Sequence, residues 1–342
     1  MVVAKKFVIA NHFDGEPKPS DLTLVEEELP PIKDGEYLVK AEYLSVDPYM
    51  RVYSLNIPVG SVMIGGQVAT IIESKNPKFL VGQKILGRLG WRSHTIIDPK
   101  DGDKTTFMNQ PPELLPEIGN LPFSLHLGVL GMPGHTSYFG FLEICNPKAG
   151  ETLVVSGAAG AVGSHVGQIG KIKGLKVIGI AGSDQKCNWL VEELGFNHAI
   201  NYKTENITDA LKKAAPQGVD CYFDNVGGEL STIVMYQMND FGRIAVCGSI
   251  SSYNSSDLND IEKLPKVALV QRIFINKQLK MEGLHVSRWF NRFDESTNQN
   301  LKWIREGKLK YRETFTQGFE NMFKAFVGMM HGENVGKAIV KV

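Results

Sequence analysis

Cysteine is scarce: 342 residues carry only four, Cys145, Cys187, Cys221 and Cys247. None lies before Cys145 and none pairs at short interval, which excludes a disulfide framework. Net charge is absent too, since 37 basic residues meet 37 acidic ones. A neutral chain has no bulk field to draw it to nucleic acid or to an anionic membrane. No apolar run approaches the roughly 20 residues of a membrane span. The opening Met1-Val2-Val3-Ala4-Lys5-Lys6 lacks the apolar core and cleavage site of a signal peptide. The phosphate-loop pattern G-x-x-x-x-G-K-[ST] is missing, and Ser156 does not sit in G-x-S-x-G, so phosphoryl transfer and serine hydrolysis lose their main supports. Together these absences predict a cytoplasmic protein whose partner is a small molecule, with no nucleic acid and no membrane span.

What is present has the composition of an ordinary globular protein, 43% hydrophobic and 22% charged. The length predicts two domains. Up to about Gly131, short β-rich runs (36–45, 66–74, 84–88 and 91–97) alternate with glycine and proline, as in a compact β-rich unit. Beyond it, apolar strands alternate with amphipathic stretches, which favours βαβ units and a doubly wound parallel sheet. Strands are expected at 151–156, 176–181, 199–201, 219–224 and 243–247, with helices at 161–173, 185–194, 207–214 and 230–238. The polar stretch 251–265 reads as a loop. From Asp294 two helical patterns flank a strand-like 311–315. The apolar end, 338–342, is placed to rejoin the first domain.

One motif carries most weight. Strand Thr152-Leu153-Val154-Val155-Ser156 opens into Gly157-Ala158-Ala159-Gly160-Ala161-Val162-Gly163, where a helix starts. In the dinucleotide fingerprint G-x-G-x-x-G, Ala158 takes the first position and Gly160 and Gly163 the other two. Gly160 lets the backbone approach a pyrophosphate, Gly163 lets helix and strand pack closely, and the helix N-terminus offers N–H groups to phosphate. The second strand ends in Gly182-Ser183 with Lys186 soon after, and an ammonium where NAD sites keep a carboxylate suits a 2′-phosphate. Asp184 weighs the other way, and Lys186 could be a solvated first-turn lysine; NADP(H) is the expected cofactor. Asp224-Asn225-Val226-Gly227-Gly228 and Cys247-Gly248-Ser249-Ile250 follow strands four and five, where ligands of open α/β sheets lie.

With these motifs the chain resembles the zinc-independent medium-chain dehydrogenases/reductases, in the group of prostaglandin reductases and alkenal double-bond reductases. The resemblance spans nearly the whole chain. It is carried by Ser45-Val46-Asp47-Pro48-Tyr49-Met50-Arg51, by 156–163, by Gly182-Ser183-Asp184-Gln185-Lys186, by 221–228 and 241–248, by Ser251-Ser252-Tyr253-Asn254 and by Gly318-Phe319-Glu320-Asn321-Met322. It implies a Rossmann domain over 131–305 and a partly barrel-like catalytic domain formed by 1–130 and 306–342. It also implies an active site in the cleft between them and a homodimer. Ala158, Ala159, Gly160 and Ala161 would face the pyrophosphate, and Lys186 and Tyr202 the 2′-phosphate. Asn225, Cys247, Gly248, Ser249, Ile250, Ser251, Ser252, Tyr253, Leu284, His285, Val286 and Asn334 would complete the dinucleotide site. Tyr49, Arg51, Trp91 and Arg92 are candidates to line the substrate. Leu284-His285-Val286 departs from the aromatic or aliphatic triplet of many relatives, so His285 is a candidate to alter the substrate wall.

Zinc-dependent members of this superfamily need three protein ligands on a catalytic metal. The N-terminal domain has no cysteine, and His12, His94, His126 and His135 show no ligand spacing, so no metal is expected. The implied chemistry is reduction of a C=C bond conjugated to a carbonyl in a lipid-derived enone or enal, such as a 15-oxoprostaglandin or a 4-hydroxyalkenal. Hydride adds to the β-carbon and the carbonyl oxygen takes on enolate charge, which the protein must stabilise. The resemblance points to Tyr253 as that donor. Oxidation of an allylic alcohol such as leukotriene B4 is a possible second reaction. Quinone reduction, or NADPH binding without catalysis, are the alternatives.

Overall fold

The computed structural model describes residues 2–99, 111–255 and 270–342. The chain forms two compact units, Met1–Leu127 with Glu313–Val342, and Gly128–Arg312. The sequence boundaries stood at 130/131 and 305/306. The second lies later because Lys310 is fastened to the second unit: Gln168 Nε2 donates to its carbonyl at 2.9 Å, its N–H donates to Gln168 Oε1 at 2.7 Å, and its ammonium reaches the carbonyl of Glu193 at 2.8 Å.

The first unit is built on Tyr37–Ser45, a strand whose apolar residues are buried. Gln67–Ser74 pairs with it antiparallel, continued by Lys84–Gly87 and Glu113–Leu114; across its other edge lie His94–Ile97 and Lys337–Lys341, the latter carrying Glu313–Gln317. Lys337–Lys341 thus brings the end of the chain into the sheet of its beginning. Val2–Ile9 and Leu22–Leu29 form a separate antiparallel ribbon that the sequence reading had not marked. The core beneath is aromatic, with Phe7 and Phe326 edge-on to Trp91 at 5.7 and 5.9 Å between ring centres.

The second unit is a six-stranded, wholly parallel sheet. In space the strands run His198–Asn201, Lys176–Ala181, Thr152–Ser156, Val219–Asp224, Met238–Val246, Lys280–Gly283. Numbered along the chain within this unit, that order is 3-2-1-4-5-6, the doubly wound arrangement whose switch point lies beside the first strand. Five strands were expected; the sixth, Lys-Met-Glu-Gly, is too short and polar to read as one. The expected loop 251–265 begins with a short 3-10 turn at Ile250–Ser252; from 256 onward it lies outside the described residues.

Two buried imidazoles give the fold an acid limit. His126 and His165 are 5% and 4% exposed, and His126 Nε2 and His165 Nδ1 lack a hydrogen-bond partner among the described residues. Burial pushes both from 6.5 to about 4, since neither site compensates a charged ring. The unfolded chain therefore binds more protons than the folded one between about 4 and 6.5. Stability should fall as pH drops through that window, and His126→Gln/His165→Gln should flatten the loss in urea titrations. Equal acid sensitivity of the unmodified protein and the double variant would contradict this.

Candidate nucleotide and active site

At the switch point, Thr152–Ser156 delivers the chain into the glycine-rich turn, and Ala161–Ile172 leads away. A methyl group at Gly163 would stand 2.4 Å from the carbonyl oxygen of Gly157 and 2.8 Å from Ala158 Cα. Only glycine lets the helix come this close. Ala158 and Ala159 are buried, at 0% and 3% exposure, so these residues can offer a ligand backbone rather than side chain. The first-turn N–H groups of the helix have no intrahelical acceptors and make a site for phosphate.

Beside the turn, strand four ends in the Asp224–Gly228 segment singled out in the sequence, and its first residue is a hydrogen-bond hub. Asp224 is 3% exposed. Its Oδ1 accepts from Ser156 Oγ at 3.0 Å, Tyr222 OH at 2.8 Å, and the N–H groups of Val226 and Gly227 at 2.9 Å. Asn225 is tied to the first strand: its N–H donates to Ser156 Oγ at 3.0 Å and its Nδ2 to the Ser156 carbonyl at 2.7 Å. A buried Asp followed by Asn-Val-Gly-Gly was the available signal.

The turn after strand five is laced to this hub. Cys247 and Gly248 donate to the Asp224 carbonyl, Ile250 to that of Asn225, and Ser251 to that of Val226. Ser252 Oγ donates back to the Ser249 carbonyl at 2.8 Å. Tyr253 folds over the same loop, and its hydroxyl accepts the Ser249 N–H at 3.3 Å. A side chain at Gly248 would meet that hydroxyl at 2.9 Å, so glycine there lets the phenol lie close to the backbone. Burial, with help from Asp224, pushes the Cys247 thiol up to about 12, so it stays protonated and is no nucleophile at neutral pH.

Across the sheet, Lys186 is half-buried and follows Ser183, whose Oγ accepts the Lys186 N–H at 3.3 Å. Its pKa is lowered by burial and by the nearby ammonium of Lys203, a second cation that sequence reasoning did not single out. Tyr202 lies against Gly182, where an added Cβ would stand 3.0 Å from the ring and hydroxyl. Asp184, the carboxylate that weighed against a 2′-phosphate, accepts from Asn201 Nδ2 at 2.7 Å. Two cations, an engaged carboxylate and a backbone cradle fit a 2′-phosphorylated dinucleotide.

Of the remaining candidates, Leu284 continues from the sixth strand, donating its N–H to the Val246 carbonyl at 3.0 Å. His285 is exposed, with its ring beside Ser287, and Val286 is buried. Asn334 belongs to the other unit, where its amide donates to the Gly336 carbonyl at 2.7 Å. The four substrate candidates, also in that unit, are not alike. Trp91 is 0% exposed in the aromatic core and presents no surface to a substrate. Arg51 is 1% exposed, donating to the Gly15 carbonyl at 2.9 Å with its guanidinium over Phe13; it is a core group as well. Arg92 faces Glu27 at 3.6 Å. Tyr49 is half-buried against Tyr53, and burial raises its pKa.

A 3-2-1-4-5-6 parallel sheet with this cradle, in a chain that also carries a β-rich unit, defines the class of the medium-chain dehydrogenases/reductases. Two family models match the chain: the N-terminal domain of oxidoreductase over residues 5–105 and zinc-binding dehydrogenase over residues 161–303. Prostaglandin reductase 1 of Bos taurus is 49% identical over 343 residues, covering 100% of both chains. The NADPH-dependent curcumin reductase of Escherichia coli is 37% identical over 99% of this chain and 96% of its own. Among solved structures, CurA from Vibrio vulnificus in complex with NADPH is 36% identical, covers 99% of each chain and superposes with a TM-score of 0.88. The chain belongs to the prostaglandin reductase 1 family, within the NADP-dependent oxidoreductases that reduce C=C bonds. A zinc ion, which one family name invokes, does not fit: among the described residues no three His, Cys, Asp or Glu side chains gather to hold a metal.

Proposed function

We propose that the chain reduces the C=C bond of lipid-derived α,β-unsaturated ketones and aldehydes, prostaglandin-type enones among them, with NADPH. The observation that carries this reading is full-length similarity to enzymes named prostaglandin reductase, curcumin reductase and 2-alkenal reductase. When bound, NADPH supplies the hydride. The glycine-rich turn and the Ala161–Ile172 N-terminus bind phosphate through backbone N–H groups, and Lys186 with Tyr202 takes the 2′-phosphate end. Asn225 and the 247–252 turn shape the remaining wall. Tyr253 donates its hydroxyl proton towards the oxygen that gains charge as the double bond is reduced. The Ser249 N–H engages a lone pair of that hydroxyl and draws charge from the oxygen, which makes the O–H a better donor. The proton for the α-carbon comes from Tyr253 or from solvent.

NADPH consumption with an α,β-unsaturated ketone, a quinone and a simple saturated aldehyde, assayed in parallel, tests the reading. Turnover of the enone is the expected result. Turnover of the quinone alone would move the assignment to quinone reduction, and no turnover despite tight NADPH binding would leave a binding protein.

Two further features belong to the same proposal. The chain acts as a homodimer joined through Lys280–Gly283, the strand that ends the parallel sheet among the described residues. Ile275 and Phe241, 75% and 63% exposed, support this: Phe241 lies in the fifth strand and Ile275 in the helix Gln271–Lys277 just before the sixth, apolar surface a monomer would leave wet. It works in the cytoplasm, where four unpaired cysteines stay reduced. Among the described residues, no helix is long and apolar enough to cross a membrane.

A further inference from the structure

The end of the third strand holds a polar knot that the binding residues themselves do not explain. Asn201 is 5% exposed, far more buried than its neighbours Tyr202 and Lys203. Its side chain works in both directions: Nδ2 donates to Asp184 Oδ1 at 2.7 Å, and Oδ1 accepts the Lys203 N–H at 3.1 Å. Its backbone N–H donates to Glu205 Oε1 at 2.8 Å, and its carbonyl accepts from Thr204 and Glu205 at 3.1 and 2.9 Å. Tyr202 is fixed in turn by its N–H to the Ala181 carbonyl at 3.1 Å. One residue therefore engages both carboxylates, Asp184 through its side-chain amide and Glu205 through its backbone N–H, and sets the turn that carries Tyr202 and Lys203.

We propose that Asn201 is a positioning residue for coenzyme choice: it holds Asp184 on the protein and away from the 2′ position, and orients the Tyr202-Lys203 turn towards a 2′-phosphate. The proposal rests on the NADPH reading above. A carboxylate at this end of the second strand favours a free ribose 2′-hydroxyl and opposes a phosphate. Asn201 turns that carboxylate from an opponent of the phosphate into a structural strut. Lys203 then adds its charge near Lys186, whose pKa is lowered by burial and further by that ammonium. Two neighbouring cations form a site for a multiply charged anion.

The test uses two fragments that differ only at the 2′ position, adenosine 2′,5′-bisphosphate and 5′-AMP, titrated calorimetrically against the full-length protein. The unmodified protein should prefer the bisphosphate. Asn201→Ala should weaken the bisphosphate by about tenfold and leave 5′-AMP within about twofold. Adding Asp184→Ala to that variant should recover most of the loss, which a merely loosened turn would not allow. Asn201→Ser, with its thermal melting compared, serves in the same scheme if the alanine variant does not fold. An unchanged preference in the Asn201 variant, or no recovery in the double variant, would overturn the proposal while the coenzyme reading stands. Equal binding of the two fragments by the unmodified protein would instead overturn the coenzyme reading itself.

Discussion

Lys337→Met should destabilise the protein by about 3–5 kcal/mol, because it strands a buried carboxylate. Lys337 and Asp47 side chains are 3% and 7% exposed, with Nζ 3.0 Å from Oδ1. The ammonium also donates to the carbonyls of Val46 at 2.7 Å and Ala338 at 2.9 Å, and Ser45 Oγ donates to the same carboxylate from the other side. Burial lowers the Lys337 pKa even against the opposing pull of Asp47 and Glu313, which shows how poorly this pocket tolerates an unbalanced charge. The pair joins strand 337–341 to the segment after strand 37–45, so its loss loosens the chain ends from one another. Chemical denaturation followed by tryptophan fluorescence measures the effect. Asp47→Leu added to Lys337→Met should recover part of the loss, since replacing both charges avoids an orphan. A single variant within about 1 kcal/mol of the unmodified protein would show that the ion is rehydrated or neutralised at little cost.

Tyr253→Phe should reduce kcat/KM for an enone by about 1.5–3 kcal/mol, on the order of 10- to 150-fold, the range for a hydrogen bond to developing charge. NADPH affinity should change much less, because the laces from Cys247, Gly248, Ile250 and Ser251 to strand four remain in place. A fall in NADPH affinity as large as the fall in kcat/KM would instead make Tyr253 a strut of the loop. Unchanged kcat/KM would remove it from the chemistry.

The parallel sheet was legible in the sequence because its central strands carry short apolar runs, such as Leu153-Val154-Val155 and Cys221-Tyr222-Phe223, followed by glycine-containing turns. Val154, Ile178 and Tyr222 are all 0% exposed, and a strand buried on both faces must be written that way. The edge strand Lys280–Gly283 was not legible: packed on one side only, it needs no apolar run. The fingerprint around Gly160 and Gly163 could be read because steric need leaves a mark in residue type. Asn201 and Lys337 could not be found the same way. Each is an ordinary polar residue in sequence, and only the fold shows that its partners surround it in the interior. Trp91 and Arg51 are buried instead, since a motif shared by a family contains core residues as well as binding ones. Nothing local distinguishes an arginine on a phenyl ring inside the core from one that faces a ligand.

Reduction of an enone with NADPH deuterated at the transferable position, followed by mass spectrometry and NMR of the product, tests the central claim most directly. One deuterium at the β-carbon, with the carbonyl intact, is the expected result. Deuterium on a newly formed carbinol carbon would show carbonyl reduction and contradict it.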